Sequence, residues 1–366
     1  MYFNNFYKGK KVLITGHTGF KGSWLTLWLT KLGATIIGVS KDIPTSPSLF
    51  ESLNLEKKIS HHIIDVRNLE DLTHVIDAEK PDIIFHLAAQ AIVSTSFSNP
   101  IETFTTNVIG TMNILEVLRT YNKKCQVVLI TSDKCYDNVE WVWGYKETDS
   151  VGGKDIYSGS KGAAELVIKS YFHSFFKDNK LINIAVGRAG NVIGGGDWAI
   201  DRIVVDCMRA WSRGEVVDIR SPYATRPWQH VLEPLSGYLQ LAYDLSLSKS
   251  NGEAYNFGPK SEQNRTVIDL LKGLSKFWKL KDESDYFRIK DVIPFHEAGL
   301  LKLNCDKALF YLNWESNLNY EENVEFVSTW YYNFYNEKAN MFDFTLGQIT
   351  KYENLAKERN RIWTIS

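Results

Sequence analysis

The stretch KVLITGHTGFKG, residues 11–22, joins an apolar run to three glycines spaced three residues apart. The apolar part predicts a buried β-strand, and the residues after the last glycine predict a helix. Glycines at this spacing let the backbone turn tightly and approach a diphosphate, whose negative charge is favoured at the N-terminus of a helix. The stretch therefore predicts a dinucleotide-binding loop, whose contacting residues would be Gly16, Thr18, Gly19, Phe20, Lys21 and Gly22.

Apolar, strand-like runs alternate with helix-like segments from this loop as far as NIAVGR at residues 183–188. Runs such as ATIIGVS, DIIFHLAA and QVVLITS are almost continuously apolar, which is typical of strands in a parallel sheet covered by helices on both faces. The sequence therefore predicts an α/β fold with a doubly wound, Rossmann-like parallel sheet. After Asn191, glycines and prolines break the pattern into shorter elements, so we expect a smaller C-terminal substrate-binding lobe.

This pattern also predicts the domain limits. Residues 1–190 would form the dinucleotide-binding domain, to which residues 229–258 return, and residues 191–228 and 259–366 would form mainly the substrate-binding lobe. No repeat, low-complexity block or flexible linker separates these parts, so we expect them to pack as one body.

A helix is predicted from Ile101 to Tyr121, because apolar residues recur there at spacings of three and four. One buried stripe is expected along this helix, formed by Ile101, Phe104, Val108, Met112, Leu115 and Leu118.

Composition excludes several classes of protein. The chain has 366 residues and a formal net charge of -1, which gives no reason to expect a nucleic acid or an anionic membrane as partner. Its 4 cysteines lie far apart, and neither they nor the histidines have the spacing of a metal site, so no metal and no disulfide framework are expected. The N-terminus is too polar for a signal peptide, and no apolar run approaches the ~20 residues of a membrane helix. These features predict a soluble, cytoplasmic, unprocessed protein.

Further cofactor-binding candidates follow the other predicted strands. Asp42 stands near the end of the second strand, where a carboxylate could bind the ribose hydroxyls of NAD, whereas the neighbouring Lys41 would suit the 2′-phosphate of NADP. The sequence favours NAD over NADP. Candidates after the third and fourth strands are Asp65, Val66, Ala88, Ala89 and Gln90, since ligands bind at the carboxyl ends of parallel strands; each could equally be a plain loop residue.

Two later stretches carry reactive side chains. TSDK places Ser132, Asp133 and Lys134 at the end of the buried strand QVVLI, and YSGSK places Tyr157 and Lys161 on one face of the next helix. Lowering the pKa of a tyrosine from about 10 to near 7 takes about 4 kcal/mol, more than an exposed ion pair supplies. We therefore expect a partly desolvated site in which Ser132 and Tyr157 face the same positively charged nicotinamide ring.

These motifs, with LAAQ and the pair Thr106-Asn107, resemble the extended short-chain dehydrogenase/reductase family of nucleotide-sugar enzymes. Within that family, NPIETFTTNVIGT, TSDKCYDN, RAGNVIGGGDWA and RPWQHVLEPLSGYL are similar to the CDP-glucose 4,6-dehydratases. The resemblance runs from Lys10 to Pro259, with a weaker match from His296. It implies bound NAD with Asn107 among its contacts, CDP-glucose as substrate, a place in deoxysugar and lipopolysaccharide biosynthesis, and a homodimer or homotetramer paired through the helices at Ile101 and Tyr157.

The resemblance also implies a role for each reactive residue. Tyr157 would take the proton of the sugar 4-hydroxyl, Ser132 would hydrogen-bond the forming carbonyl, and Lys161 would hold the ribose of the cofactor. Lys134 would remove the proton on carbon 5, and protonated Asp133 would donate to the departing 6-hydroxyl. Many related dehydratases have an Asp-Glu pair at this position. Alternatively, Lys134 forms a salt bridge with Asp133, and another group removes the proton.

The second lobe is expected to hold the nucleotide. Arg220 and Arg226 are candidate diphosphate ligands, because a guanidinium matches phosphate oxygens in two-point geometry. Asn191, Arg202 and His230 are further candidates for substrate binding. Trp198 or Trp228 could stack on the base, although aromatic residues are more often part of the core.

Rival functions remain at this point. Another nucleotide-sugar 4,6-dehydratase or a 4-epimerase would share Tyr157 and Lys161, but an epimerase would not need Asp133 and Lys134. A non-catalytic dinucleotide-binding sensor is the rival of another class, and the intact Ser132, Tyr157 and Lys161 argue against it.

Overall fold

A computed structural model describes residues 2–219, 221–260, 264–278, 280, 282, 286–289 and 301–365 of the protein. Its strands are β1 (Lys11–Thr15), β2 (Thr35–Ser40), β3 (Ser60–Ile63), β4 (Ile83–His86), β5 (Cys125–Ile130), β6 (Ile182–Ala189), β7 (Val192–Ile193), β8 (Val217–Ile219), β9 (Thr225–Pro227), β10 (Gln229–His230), β11 (Ala254–Phe257), β12 (Asn264–Thr266) and β13 (Phe287–Ile289).

One seven-stranded sheet organises the molecule, in the order β11-β6-β5-β4-β1-β2-β3. Every neighbouring pair in it is parallel. Alternate side chains of one strand enter different hydrophobic clusters: Val128 of β5 joins one cluster, whereas Val127 and Leu129 join the other. Both faces of the sheet are therefore buried, which explains why the strands are apolar throughout.

Thirteen α-helices lie in the described part of the chain. They are α1 (Phe20–Lys31), α2 (Leu49–Ser52), α3 (Leu69–Glu79), α4 (Val93–Ser98), α5 (Pro100–Phe104), α6 (Gly110–Thr120), α7 (Ile156–Tyr171), α8 (Ile203–Ser212), α9 (Leu232–Ser246), α10 (Val267–Phe277), α11 (Asp306–Leu312), α12 (Tyr320–Tyr332) and α13 (Met341–Glu358).

These helices cover the sheet on both faces. Leu72 of α3, Leu115 of α6 and Ile168 of α7 pack in the cluster that contains Val127. Trp24 of α1 and Leu235 of α9 pack in the cluster that contains Val128. The predicted doubly wound parallel sheet is therefore confirmed.

The C-terminal part adds short strand pairs and helices outside the large sheet. β7 pairs with β10, β8 with β13, and β9 with β12, whereas β11 returns to the large sheet beside β6. Buried residues of α10 and α12, such as Leu270 and Trp330, belong to the same hydrophobic cluster as Trp24. The core is thus continuous between the two parts, while the residue limits of the two domains stay a prediction.

The segment predicted as one helix from Ile101 to Tyr121 is divided. A π-helical turn over Thr105–Ile109 separates α5 from α6. Ile101 and Phe104 are exposed, whereas Thr103, Thr106 and Asn107 face the interior. The predicted buried stripe is therefore wrong over this first part and correct only for Leu115 and Leu118. The extra residue in a π-turn changes which side chains share a face, so a constant helical period fails there.

No helix in the described part of the chain combines the length and the apolar character that a bilayer crossing requires.

Candidate active site

The glycine loop packs tightly between β1 and α1. Gly16 has a φ of +76°, and a Cβ atom there would lie 2.8 Å from the Ala88 nitrogen. A Cβ atom at Gly22 would lie 2.1 Å from the Gly16 carbonyl oxygen, so side chains are excluded at both positions. Gly19 precedes α1, and no side chain caps the start of this helix. The first-turn amides therefore remain available to an anion, as a dinucleotide diphosphate requires.

Asp42 lies at the rim of this loop. Its backbone carbonyl accepts a hydrogen bond from the Thr18 hydroxyl at 2.7 Å, while its own carboxylate is exposed. The neighbouring Lys41 ammonium forms an ion pair of 2.6 Å with Glu102. Because this ion pair partly neutralises the lysine, the rim suits the ribose hydroxyls of NAD better than the 2′-phosphate of NADP.

The residues after β3 are held by protein contacts. Arg67 binds the Asp65 carboxylate through two nitrogens, at 3.0 and 2.5 Å, and these hydrogen bonds lower the pKa of Asp65. The Val66 carbonyl accepts a hydrogen bond from the Asn113 amide at 2.9 Å. The structure therefore places both residues at the expected edge of the sheet, with the Asp65 carboxylate already paired.

Asn107 joins the loop after β4 to the helix that carries Tyr157. Its oxygen accepts a hydrogen bond from the Gln90 amide at 2.8 Å, and its nitrogen donates to the Gln90 carbonyl at 3.1 Å and to the Ser160 hydroxyl at 2.8 Å. Ser160 in turn donates to the Tyr157 carbonyl at 2.7 Å. Asn107 thus fixes the segment Ala88-Ala89-Gln90 next to α7.

Ser132 and Tyr157 come together at the carboxyl end of β5. Ser132 caps a short 3₁₀ turn over Asp133–Cys135, where its oxygen accepts a hydrogen bond from the Lys134 amide at 3.2 Å. Its hydroxyl donates to the Asp133 carboxylate at 2.9 Å. Burial raises the pKa of Tyr157 to about 12, although a hydrogen bond with Ser132 acts to lower it. The structure thus brings Ser132 and Tyr157 together, and their role in oxidation stays a prediction.

Two lysines lie close to this pair. Lys161, one turn after Tyr157 on α7, is buried, and burial lowers its pKa to about 8, against the opposing effects of Cys135 and Glu165. Burial also lowers the pKa of Lys21 to about 8, against the effect of Asp133. The glycine loop therefore contributes a cation to the region around Asp133, beyond its expected contact with the cofactor.

Asp133 lies in an environment that raises the pKa of its carboxyl group. Its side chain is buried, and burial raises its pKa, although Lys134 and Ser132 act in the opposite direction. Lys134 is half-buried and acts electrostatically on Asp133, although the two form no ion pair within 4.0 Å among the described residues. The alternative of a salt bridge between these two residues stays a prediction.

A cleft opens beside Asp133, between the sheet and the C-terminal part. It is lined by Asp133, Gly190, Pro227, Gln229, Gly258, Pro259, Lys302 and Leu303. The Gln229 side chain is buried, and its oxygen has no hydrogen-bond partner in the described structure. The sequence analysis did not select Gln229 or Lys302. Both lie in stretches that carry the family resemblance, RPWQH and LLKLN, which was the available signal.

The other predicted substrate residues are distributed unevenly. Arg202 acts electrostatically on Tyr157, lowering its pKa, and the Arg202 Nε atom is buried without a partner among the described residues. Asn191 follows Gly190 of the cleft, and half-buried Arg226 donates to the Thr225 carbonyl at 2.9 Å. Arg220 lies outside the described residues.

Three aromatic candidates lie in the core instead. The His230 imidazole is fully buried, with its ring centre 5.6 Å from that of Trp24 and 5.3 Å from that of Phe326. Trp198 packs against Trp330, and Trp228 donates to the Arg265 carbonyl at 3.2 Å. His230 does not line the cleft beside Asp133, and its role in substrate binding stays a prediction. Within the described ranges, no group of three or more His, Cys, Asp or Glu residues could hold a metal ion.

The parallel sheet and the uncapped glycine loop define a Rossmann-like fold. Together with the group Ser132, Tyr157 and Lys161, they indicate the extended short-chain dehydrogenase/reductase class. The chain belongs to the GDP-mannose 4,6 dehydratase family, whose sequence model matches residues 13–327. It is 46% identical over 332 residues to a CDP-glucose 4,6-dehydratase of Salmonella typhimurium, covering 89% of this chain and 92% of that protein. The predicted resemblance is therefore confirmed.

Solved structures agree with the fold. A UDP-glucose 4-epimerase of Thermotoga maritima with UDP-glucose superposes with a TM-score of 0.76 at 22% identity, covering 88% of this chain and 99% of the other. A dTDP-glucose 4,6-dehydratase of Bacillus anthracis in complex with NAD superposes with a TM-score of 0.72 at 21% identity, covering 90% of this chain and 98% of the other. These likenesses confirm the fold class predicted from the sequence.

Proposed function

We propose that the protein is an NAD-dependent enzyme that converts CDP-D-glucose to CDP-4-keto-6-deoxy-D-glucose and water. The observation that carries this proposal is that two reactive groups, one for oxidation and one for elimination, lie side by side at the end of β5. Ser132 serves the buried tyrosine of α7, while the next residue, Asp133, faces the cleft. The relative of 46% identity supports CDP-glucose as the substrate.

The oxidation step depends on Tyr157. A bound NAD would supply the hydride acceptor at carbon 4 and would return the hydride to carbon 6. Tyr157 accepts the proton of the 4-hydroxyl once its pKa falls, and the positive charges of Arg202 and of the cofactor ring act in that direction. Ser132 donates a hydrogen bond to the forming carbonyl, and Lys161 holds the ribose.

The elimination step depends on the two residues after Ser132. A ketone at carbon 4 acidifies the proton on carbon 5, and Lys134 removes it. Asp133 donates its proton to the departing 6-hydroxyl, and water leaves. When a hydride returns to carbon 6, carbon 5 takes back a proton from Lys134. The raised pKa of Asp133 supports this role, because a carboxyl group must be protonated to act as an acid. A 4-epimerase would not require this second pair.

We assign the nucleotide and its diphosphate to the C-terminal part, with Arg226, Asn191 and Arg202 as ligands, and Arg220 stays a prediction. Residues 1–190, joined by 229–258, serve the cofactor in this proposal. The four cysteines are free thiols, in agreement with a reducing cytoplasm as the location. The product is a 4-keto-6-deoxy sugar, the kind of intermediate that deoxysugar biosynthesis consumes.

We also propose a homodimer. Large apolar side chains are exposed on three neighbouring helices: Phe97 of α4 is 67% exposed, Ile101 of α5 79% and Leu166 of α7 56%. α4 and α5 both pack against α7, so these side chains belong to one region of the surface. Exposed apolar side chains on neighbouring helices are typical of an interface, and a second copy of the chain is the partner that we expect.

One experiment tests the proposed activity. The purified protein is incubated with CDP-glucose and NAD, and mass spectrometry follows the loss of one water from the nucleotide sugar. UDP-glucose, dTDP-glucose and GDP-mannose are supplied in parallel, and Tyr157→Phe is the inactive reference. Dehydration of CDP-glucose is expected; conversion of another nucleotide sugar with CDP-glucose left intact would overturn the substrate assignment.

A further inference from the structure

A buried network of polar side chains lies behind the reactive residues. At its centre, Arg188 of β6 donates two hydrogen bonds to the Glu165 carboxylate, both at 2.8 Å, and a third to the Tyr136 hydroxyl, also at 2.8 Å. All three side chains are buried. The guanidinium therefore connects two groups that belong to different parts of the site.

The first branch reaches the oxidation pair. Glu165 follows Lys161 by one turn on α7 and accepts a hydrogen bond from the Thr131 hydroxyl at 2.5 Å. Thr131 directly precedes Ser132. Glu165 thus joins the strand end that presents Ser132 to the helix that presents Tyr157.

The second branch reaches the wall of the cleft. The Tyr136 hydroxyl donates to the Asn256 side-chain oxygen at 2.8 Å, and the Asn256 nitrogen donates to the carbonyls of Tyr145 at 2.8 Å and Asn304 at 3.0 Å. Asn304 is also the last residue of a short segment, 302–304, which we call the wall segment. Its Lys302 and Leu303 line the cleft beside Asp133.

Tyr145 holds the wall segment from the other side. Its amide donates to the Lys302 carbonyl at 2.9 Å, and its carbonyl accepts from the Asn304 amide at 2.9 Å. A Cβ atom at Gly144 would lie only 2.7 Å from the Asn304 nitrogen, so the two backbones approach closely. Because the Asn256 side chain donates to the carbonyls of both Tyr145 and Asn304, it fixes the wall segment in one position.

Because this network is buried, its hydrogen bonds favour a single position of the wall segment. Asn256 has no exposed surface, so its oxygen cannot exchange the Tyr136 hydroxyl for water without local opening. Tyr136 is itself stacked on Tyr145, with ring centres 5.2 Å apart. A displacement of the wall segment would leave several buried polar atoms unpaired, which is costly in a low-dielectric interior.

We propose that Tyr136 and Asn256 are positioning residues that hold the wall of the substrate cleft at a fixed distance from Ser132 and Tyr157. Through them, the sugar that lies against Lys302 and Leu303 is presented with its 4-hydroxyl at the Tyr157 phenol. This inference rests on the proposed function, because it takes the cleft as the site of a nucleotide sugar.

The coupling is tested first in the substrate-free protein by comparing Tyr136→Phe with Tyr352→Phe. Each variant removes one buried hydroxyl; that of Tyr352 binds Glu233 at 3.0 Å, and Tyr352 belongs to α13. Hydrogen exchange is measured at the Tyr145 and Asn304 amides. Tyr136→Phe should speed exchange there by about fivefold or more, whereas Tyr352→Phe should not. Equal exchange in the two variants would overturn the inference, whichever sugar nucleotide the enzyme uses.

Kinetics test the consequence. With the wild-type reaction as reference, Tyr136→Phe should raise KM for CDP-glucose by about fivefold or more without loss of bound NAD, and Asn256→Ser should do the same. Tyr352→Phe should lower thermal stability but leave KM unchanged. A KM equal to that of the wild type in both site variants would refute the positioning role. Failure of the wild type to dehydrate CDP-glucose would instead refute the proposed function, and hydrogen exchange would still decide the coupling.

Discussion

Lys134 is the residue at which the proposed chemistry departs from relatives that carry an Asp-Glu pair. A lysine must be neutral to accept a proton, whereas a glutamate is already a base at neutral pH. Lys134 directly follows Asp133, whose pKa it lowers electrostatically, so its ammonium lies at the same end of β5 as Ser132. The residue is therefore the most informative single position for mutation.

Lys134→Met should block the elimination while the protein still binds NAD. Without a base at carbon 5, exchange of that proton with deuterium oxide should stop, and dehydration should slow by about a hundredfold or more. Deuterium incorporation is measured by NMR, and bound NAD by absorbance after denaturation. Lys146→Met removes a positive charge from an exposed position and is the matched control. Wild-type exchange in Lys134→Met would assign the proton removal to another group.

At the scale of elements, the Glu165–Arg188 ion pair joins α7 to β6. Both side chains are 6% exposed, so neither charge is solvated once its partner is removed. Glu165→Gln should therefore lower the free energy of unfolding by about 3–5 kcal/mol. The loss should also separate Ser132 from Tyr157 and reduce kcat, because Thr131 depends on the same carboxylate.

A double-mutant cycle measures this interaction. The variants Glu165→Gln, Arg188→Met and their combination are compared by urea denaturation. The combination should cost less than the sum of the single changes, since it leaves no unpaired buried charge. Lys351→Met breaks an ion pair with Glu325 at the surface, and its effect should stay below about 1 kcal/mol. Additive effects of the buried pair would contradict the assigned coupling.

Local sequence patterns predicted the elements that depend on local physics. The glycine loop, the parallel strands and the four-residue spacing of Tyr157 and Lys161 follow from turn chemistry and helical period, and the structure contains each of them. The buried face from Ile101 was predicted wrongly, because the π-turn at Thr105–Ile109 has no signature in hydrophobic spacing. Ile101 and Phe104 are exposed because α5 packs on α7 with other side chains facing the interior.

Contacts between distant parts of the chain were beyond such patterns. Lys302 lines the cleft with Asp133, although the whole of β6, β11 and α9 lies between them in sequence. His230 was assigned to the substrate from a motif that carries the resemblance, and the structure places its ring between Trp24 and Phe326, so the substrate role stays a prediction. Sequence alone does not distinguish a ligand from a buried support.

At the scale of the whole molecule, the apolar region on α4, α5 and α7 predicts self-association. Ile101→Glu places a charge within the proposed interface, where its desolvation opposes pairing. Sedimentation analysis should show a dimer for the wild type and a shift toward monomer for this variant. Phe310, 77% exposed on α11, offers a matched control. Phe310→Glu should leave the protein in the same oligomeric state as the wild type. A monomeric wild type would remove the proposed interface.

At the scale of the whole molecule, the buried histidines should make the protein less stable as the pH is lowered below about 6.5, the ordinary pKa of histidine. Burial lowers the pKa of His17 to about 4 and of His86 and His230 to about 3. Below pH 6.5 the unfolded chain therefore binds protons that the folded protein does not, and each imidazole costs about 2 kcal/mol between pH 7.5 and 5.0. Glu233 acts in the opposite sense, because burial raises its pKa to about 7, and it offsets roughly one histidine.

His230→Gln tests this balance at the imidazole that lies deepest in the core. Urea denaturation at pH 7.5 and 5.0 should give a smaller loss of unfolding free energy for this variant than for the wild type, by about 2 kcal/mol. Glu233→Gln should enlarge the loss, because it removes the group that gains a proton on folding. Exposed His74 provides the control, and His74→Gln should leave the difference between the two pH values unchanged. An equal loss in His230→Gln and the wild type would mean that this imidazole takes up a proton as readily in the folded protein as in the unfolded chain.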